Sequence, residues 1–436
     1  MKRLPLMANV PAEVVSEGNR VEESCDSTSG NELAVRLVLE RWPLIQVLWL
    51  KVDSPDWNSA ADAVLSSEYH SRLLKSPWLL LPPKRHGEGG YTSSSNCAGS
   101  DSYRIMNLEE NSVCDLKKSI SDLVSEFACV GSSHGWLILS DHKNLCPFLF
   151  NPFTEVWKKL PSLKPVFGIS DIEENDGRMC KIFWKGRLVI QSKVELRRCF
   201  VSRAFLTAEP TGRDYAVVLL CRFESEKLIY YKPGDSSWTS FYDSRVSDRV
   251  ELEDIMCYEN KVRVLTVDGA IRTWDLESGC RENGINRYAA SNHTLQRPDC
   301  LNYKVYLVQS DGEILLVARN VLKENDHDVT TETFDVYKLD LEGRKWVEVQ
   351  TLGDNRSLFL GQNQSVAVST EDFSRCKGNC IYFTHDNYFS NLLKGSEMGM
   401  GIYSLKDRKI SPIVEFPSEP LSEFSLIPCW FIPSSC

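Results

Sequence analysis

The sequence predicts a mainly β protein: a β-propeller of about six blades preceded by a short α-helical segment. Three observations lead there. Beyond about residue 103 the apolar residues fall into short β-rich runs bounded by turn dipeptides. A strand-turn-strand pattern recurs at Asn151-Pro152-Phe153-Thr154-Glu155-Val156-Trp157, Lys232 to Trp238 and Asp340 to Trp346, with weaker copies at Asp275 to Gly279 and Ser404 to Ile410. The widest gap leaves room for one more copy around Lys181 to Gln191, and units of roughly 40–50 residues are what four-stranded blades require to bury both faces in a ring. A β-sandwich with additional hairpins is the alternative reading of the same turns.

Taken in order, residues 1–31 are rich in Ser and Glu and too poor in apolar side chains to offset the entropy of ordering, so a disordered leader is expected. Residues 32–83 show helical spacing, divided by Pro43 and Pro55. Residues 84–102, with Gly87, Gly89, Gly90 and Ser93 to Ser95, read as a linker, and 103–436 as the propeller. Hairpins are expected at Val262 to Asp275 around Asp268-Gly269 and at Val305 to Val317 around Asp311-Gly312. Trp157, Trp238 and Trp346 are read as packing residues between blades.

Composition excludes several classes of function. With 60 acidic and 50 basic residues the formal charge is −10, which gives no general attraction to nucleic acid or to anionic membranes. No apolar run approaches the ~20 residues of a membrane span, and the N-terminus lacks the pattern of a secretory signal. The 15 cysteines are scattered, as expected of reduced thiols in the cytoplasm or nucleus. Cys376 and Cys380, near His385, lack a fourth metal ligand in the local sequence and read as buried strand thiols. The acidic stretch Asp171 to Asp176 lacks the spacing of a calcium loop and reads as a solvated loop. Ser133 and His134 lie between Gly131 and Gly135, but a nucleophile elbow joins a strand to a helix, and here a strand follows. A tight turn opening a blade is the expectation, with no catalytic residue, metal or cofactor.

Gly131-Ser132-Ser133-His134-Gly135-Trp136-Leu137, Asn151-Pro152-Phe153-Thr154 and Leu160-Pro161 resemble the opening of the KIB-type β-propeller domain of plant F-box proteins. Pro77-Trp78-Leu79-Leu80-Leu81-Pro82, Ile381 to Asn387 and Gly399 to Leu405 are similar to that family in order and spacing. The resemblance runs from about residue 40 to the C-terminus. It implies an F-box that docks on the Skp-type adaptor of a cullin-RING ubiquitin ligase, and a propeller that presents a protein substrate, with no bond chemistry of its own. It also implies structural roles for Gly131, Ser133, His134, Gly135, Trp136, Asn151 and Pro152.

Glu40 to Ala61 is similar to the later half of an F-box in degenerate form, with Trp49 where Phe is usual, Asp53 in place of Cys, and Pro55 interrupting the helix. Adaptor docking is helix-on-helix burial, so Leu44, Ile45, Val47, Leu48, Trp49 and Val52 are the candidate contacts; the alternative is that they pack under the propeller or within their own small bundle. The expected function is therefore an F-box-like substrate receptor of an SCF-type ubiquitin ligase, its substrate unknown. The alternative is a propeller interaction scaffold that no longer binds the adaptor.

Overall fold

Alternating apolar residues closed by positive-φ turns give short antiparallel strands throughout the computed structural model. It describes residues 36–54, 57–81, 102–141, 143–175, 179–192, 196, 200–245, 250–258, 261–267, 269–276, 302–323, 329–342, 344–363, 365–371, 373–384, 400–413 and 428–432. The chain divides into two compact units, residues 1–66 and 67–436.

In the first unit, the helix Leu44–Asp53 starts directly after Pro43, where a missing N–H costs nothing. It therefore contains no interior proline. Its Val47 packs with Leu39 and with Ala60, Ala61 and Val64, the last three on the helix Asn58–Leu65. Alanines allow the two helices to approach closely, and Lys51 pairs with Asp62 at 2.7 Å on the rim.

The second unit opens with the helix Glu68–Lys75. The Ser67 hydroxyl caps it by accepting from the His70 N–H, and Arg72 and Lys75 complement the dipole in its last turn. Ser76 then leads the chain into the sheets, with the Asn107 side chain donating to its hydroxyl at 3.1 Å.

Six sheets form the ring among the described residues. Blade I takes Cys429–Phe431, Trp78–Leu81, Arg104–Asn107 and Ser112–Asp115 in that spatial order. Blade II is Ala128–Ser133, Trp136–Ser140, Phe148–Phe150 and Trp157–Lys159, and blade III is Arg203–Leu206, Val217–Cys221, Lys227–Tyr231 and Thr239–Asp243. Leu252–Tyr258, Lys261–Thr266 and Ile271–Asp275 form blade IV. Asn302–Ser310, Glu313–Lys323, Val329–Asp340 and Lys345–Val349 form blade V. Blade VI runs Ser365–Ser369, Arg356–Leu360, Cys380–Phe383, Gly401–Ser404 and Lys409–Ser411, with Arg356–Leu360 and Cys380–Phe383 parallel.

From blade I to blade VI, the first-named strand of each blade approaches that of the next. Blade VI meets blade I through Phe359, Tyr382 and Trp430, and the Trp430 indole N–H donates to Leu360 O at 3.2 Å. The cores between the other blades are equally apolar. Val218, Val264 and Trp274 pack between III and IV, Leu265, Leu307 and Trp346 between IV and V, and Val317, Leu358 and Phe383 between V and VI. Trp78, Phe153 and Phe431 cluster between I and II with centroids 5.4–6.4 Å apart. Each such side chain, fully buried, contributes about 1.5–3 kcal/mol.

The expected hairpin at Asp311-Gly312 is present, with φ of 48° and 78°. The second expected hairpin joins Lys261–Thr266 to Ile271–Asp275 through Gly269 at φ 79°, with Asp268 outside the described residues. Four details differ from the sequence reading. Ile169–Glu174, Met179–Trp184 and Arg187–Ser192 do form a sheet where an extra unit was expected, but it is not a blade. The inner strands of blades II and III meet directly, and this sheet packs against their shared core through Ile169, Cys180 and Ile182. The sixth blade is blade I, made from the two ends of the second unit. Its strand Trp78–Leu81 pairs with both Arg104–Asn107 and Cys429–Phe431, so the ring reaches into the stretch 32–83 read as the helical segment.

Asp171 lies on a strand and not in a loop. Trp238 and Trp346 do join blades, donating their indole N–H groups to Pro161 O and Gly269 O, each at 2.8 Å. Trp157 does not: it is 39% exposed and stacks on Phe150 of its own blade. The leader 1–31 and residues 84–101 lie outside the described residues.

Gly131 marks the tightest approach in the ring. A bulge between Cys129 and Gly131 turns the strand toward blade III, where a Cβ on Gly131 would overlap Ala204 O and come within 2.7 Å of its carbonyl carbon. Because backbone cannot yield as a side-chain tip does, Gly131→Ala is expected to destabilise the protein by about 1–3 kcal/mol, read as a lower urea midpoint. An unchanged midpoint would show that the inner strands can separate.

Candidate functional site

Arg203 stands inside the largely apolar run Val201 to Leu206, and Asp254 follows Glu253 between Leu252 and Ile255. A buried charge is tolerated only when paired and hydrogen-bonded. The inner strands of blades III and IV bring these two together, with Arg203 Nε 3.1 Å from Asp254 Oδ1 and both side chains almost wholly buried. Asp254 also accepts from the backbone N–H groups of Ile255 and Leu307, each at 2.9 Å. Arg203 reaches across the axis to blade VI, donating from Nη1 to Gly361 O at 2.6 Å and to Gln362 O, while its guanidinium lies 5.8 Å from the Tyr306 ring centroid.

A second polar group sits beside it. The Asn363 amide donates to Ser132 Oγ at 2.8 Å and to Trp430 O at 2.6 Å, and Ser132 Oγ donates to Trp430 O at 2.8 Å. Blades I, II and VI are thereby joined at one point. A cavity of about 140 Å³ lies among these residues, lined also by Phe205, Gln309 and Ser365. Among the described residues, Arg203 Nη2, Asn363 Oδ1 and Ser365 Oγ meet no hydrogen-bond partner, so the cavity is polar and roomy enough for bridging water. Sequence reasoning passed over Arg203, Asp254 and Asn363. The signal for Arg203 was a lone charge within a strand-like apolar run, whereas Asp254, beside Glu253, carried no such signal.

The residues singled out from the sequence fall elsewhere. His134 and Gly135, at φ 52° and 73°, form the two-residue turn between the first two strands of blade II. Ser133 Oγ accepts the Leu206 N–H at 3.3 Å, a bridge to blade III. Burial lowers the His134 pKa, opposed by Glu209. Trp136 is buried between blades, with Lys158 Nζ 5.5 Å from its ring. Asn151 Oδ1 accepts from the N–H groups of Phe153 and Thr154, a turn that includes Pro152 and aims Phe153 at the blade I aromatics. Cys376 and Cys380 are buried, and burial pushes the Cys376 thiol up to about 12. His385 lies outside the described residues. On the first-unit helix, Leu44, Ile45, Val47, Leu48 and Trp49 are buried, whereas Val52 is 41% exposed.

Six sheets in a ring, their inner strands tied together by buried polar side chains, define a β-propeller protein. The KIB1-4 beta-propeller family matches residues 105–404, and the chain belongs to that family. It is 26% identical to F-box protein KIB2 of Arabidopsis thaliana, over 90% of this chain and 82% of that protein. It is 25% identical to F-box protein KIB4 of the same plant, over 86% and 87%. F-box only protein 7, also from Arabidopsis thaliana, is 24% identical over 78% and 80%.

The axis predicts a stability effect. Arg203→Met leaves the Asp254 carboxylate buried without its cation, and a loss of about 3–5 kcal/mol is expected in urea denaturation. Arg203→Met with Asp254→Asn should recover part of it; equal losses would mean the ion pair contributes nothing.

A second effect is read from pH. Glu226 Oε2 accepts the Leu252 N–H at 2.7 Å and Oε1 lies 3.5 Å from Arg222 Nε, yet burial dominates and raises its pKa from 4.5 to about 6. Between those values the folded state holds more protons than the unfolded one, so this group's contribution falls as pH rises from 4.5 through 6. Glu253 is raised by burial too and acts with the same sign. Denaturation midpoints across this window should show a smaller decline in Glu226→Gln than in the parent protein, and identical slopes would contradict the assignment.

Proposed function

We propose that this protein is an F-box-like substrate receptor of an SCF-type ubiquitin ligase, working in the cytoplasm, the nucleus or both. The observation that supports it most is the extent of the likeness to F-box protein KIB2. An alignment over 90% of the chain is longer than residues 67–436, so it reaches into the first helical unit. The proposed mechanism is proximity. The first unit docks on a Skp-type adaptor through the face that exposes Val52, the exposed one of the six candidates, and the propeller holds a protein substrate, whose effective concentration near the charged enzyme rises without any bond chemistry by this chain.

Val52 is the exposed apolar side chain of that set, and Leu37 and Val38 are exposed on the preceding turn. Together they give the adaptor its first contact. The test is calorimetric titration of the full-length protein with purified Skp-type adaptor. Micromolar or tighter binding is expected, weakened about tenfold, or roughly 1.4 kcal/mol, by Val52→Asp. Absence of binding by the unsubstituted protein would overturn the receptor reading in favour of the scaffold.

A further inference from the structure

Ring closure brings two cysteines together from opposite ends of the second unit. Cys129 lies at the start of the inner strand of blade II, and Cys429 opens the strand that completes blade I. These strands are neighbours at the seam, where Ser132 Oγ bonds to Trp430 O at 2.8 Å. The Cys429 thiol is within hydrogen-bonding reach of Cys129 Sγ. Cys129 is half-buried and open to a small reagent, while Cys429 is 2% exposed.

We propose that Cys129 and Cys429 form a reversible oxidation site, in which a hydroperoxide converts the two thiols into a disulfide that staples the closing strand to blade II. The Cys129 sulfur attacks the peroxide's terminal oxygen. The O–O bond breaks, the thiol proton leaves with the departing oxygen as water or alcohol, and Cys129 becomes a sulfenic acid. The Cys429 sulfur then attacks the sulfenic sulfur, the S–O bond breaks, and the oxygen departs as water with the Cys429 proton. Two electrons pass from the thiols to the peroxide, and a dithiol reductant reverses the step.

The order follows from access and from charge. Cys429 is held well above the usual thiol range by its hydrogen bond to Cys129 and by burial, so it stays protonated and acts second. The staple would also bind the one strand of the ring supplied from the far end of the chain, and cross-links that close long loops restrict the unfolded chain most.

The test uses the reduced full-length protein treated with hydrogen peroxide. Mass spectrometry of a non-reducing digest is expected to find the peptide containing Cys129 joined to that containing Cys429. The melting temperature is expected to rise by about 5 °C or more and to return on adding dithiothreitol. Neither Cys129→Ser nor Cys429→Ser should show the rise. Oxidation of Cys129 to sulfinic acid with no linked peptide, or its linkage to another cysteine, would overturn the proposal. The linked-peptide readout needs no variant, so it stands even if a substitution at the seam impairs folding.

Discussion

Six strands that meet edge-on around a narrow axis leave their inner backbone groups with no further strand to bond, and the rest of the ring depends on how that edge is satisfied. Side chains take the place of a strand. Arg203 donates to two carbonyls of blade VI, Asp254 accepts N–H groups from blades IV and V, and Asn363 with Ser132 covers the Trp430 carbonyl of blade I. Ionic groups suit this task because their hydrogen bonds are the strongest available in a low-dielectric setting. The apolar cores between blades can then vary in detail, since the axis already fixes which strand faces which.

Much of the fold was legible because its signals are local. Asp311-Gly312 and His134-Gly135 both adopt positive φ, and a two-residue turn of that kind dictates an antiparallel hairpin without help from the rest of the chain. Asn151 builds its turn from its own neighbours, as its sequence context suggested. Blade I was not legible in this way. Pairing of Trp78–Leu81 with Cys429–Phe431 has no period and no turn, only two short apolar runs at the ends of the second unit. The spacing argument therefore assigned the sixth position to the hairpin near Lys181, which has the local pattern of a blade but no place at the axis.

The candidate site divided along the same line. Trp136 and Asn151 were found through a motif of neighbouring residues. Arg203, Asp254 and Asn363 act through contacts with residues distant in sequence, and the oddity of a lone charge in an apolar run marked Arg203 alone of the three. Trp157 shows the converse case: an aromatic at a repeat position that packs on Phe148 and Phe150 of its own blade and stays partly exposed, while its counterparts Trp238 and Trp346 join blades.

The strand order of blade I also sets a timetable for synthesis. Trp78–Leu81 leaves the ribosome long before its partner Cys429–Phe431. At ~5–20 residues per second, roughly 20–70 s separate them. Throughout that interval the edge of Trp78–Leu81 carries unpaired backbone groups beside four buried-type apolar side chains, the features that invite pairing with another nascent chain. Blades II to V can collapse as they appear, whereas the ring closes only once Cys429–Phe431 pairs with Trp78–Leu81.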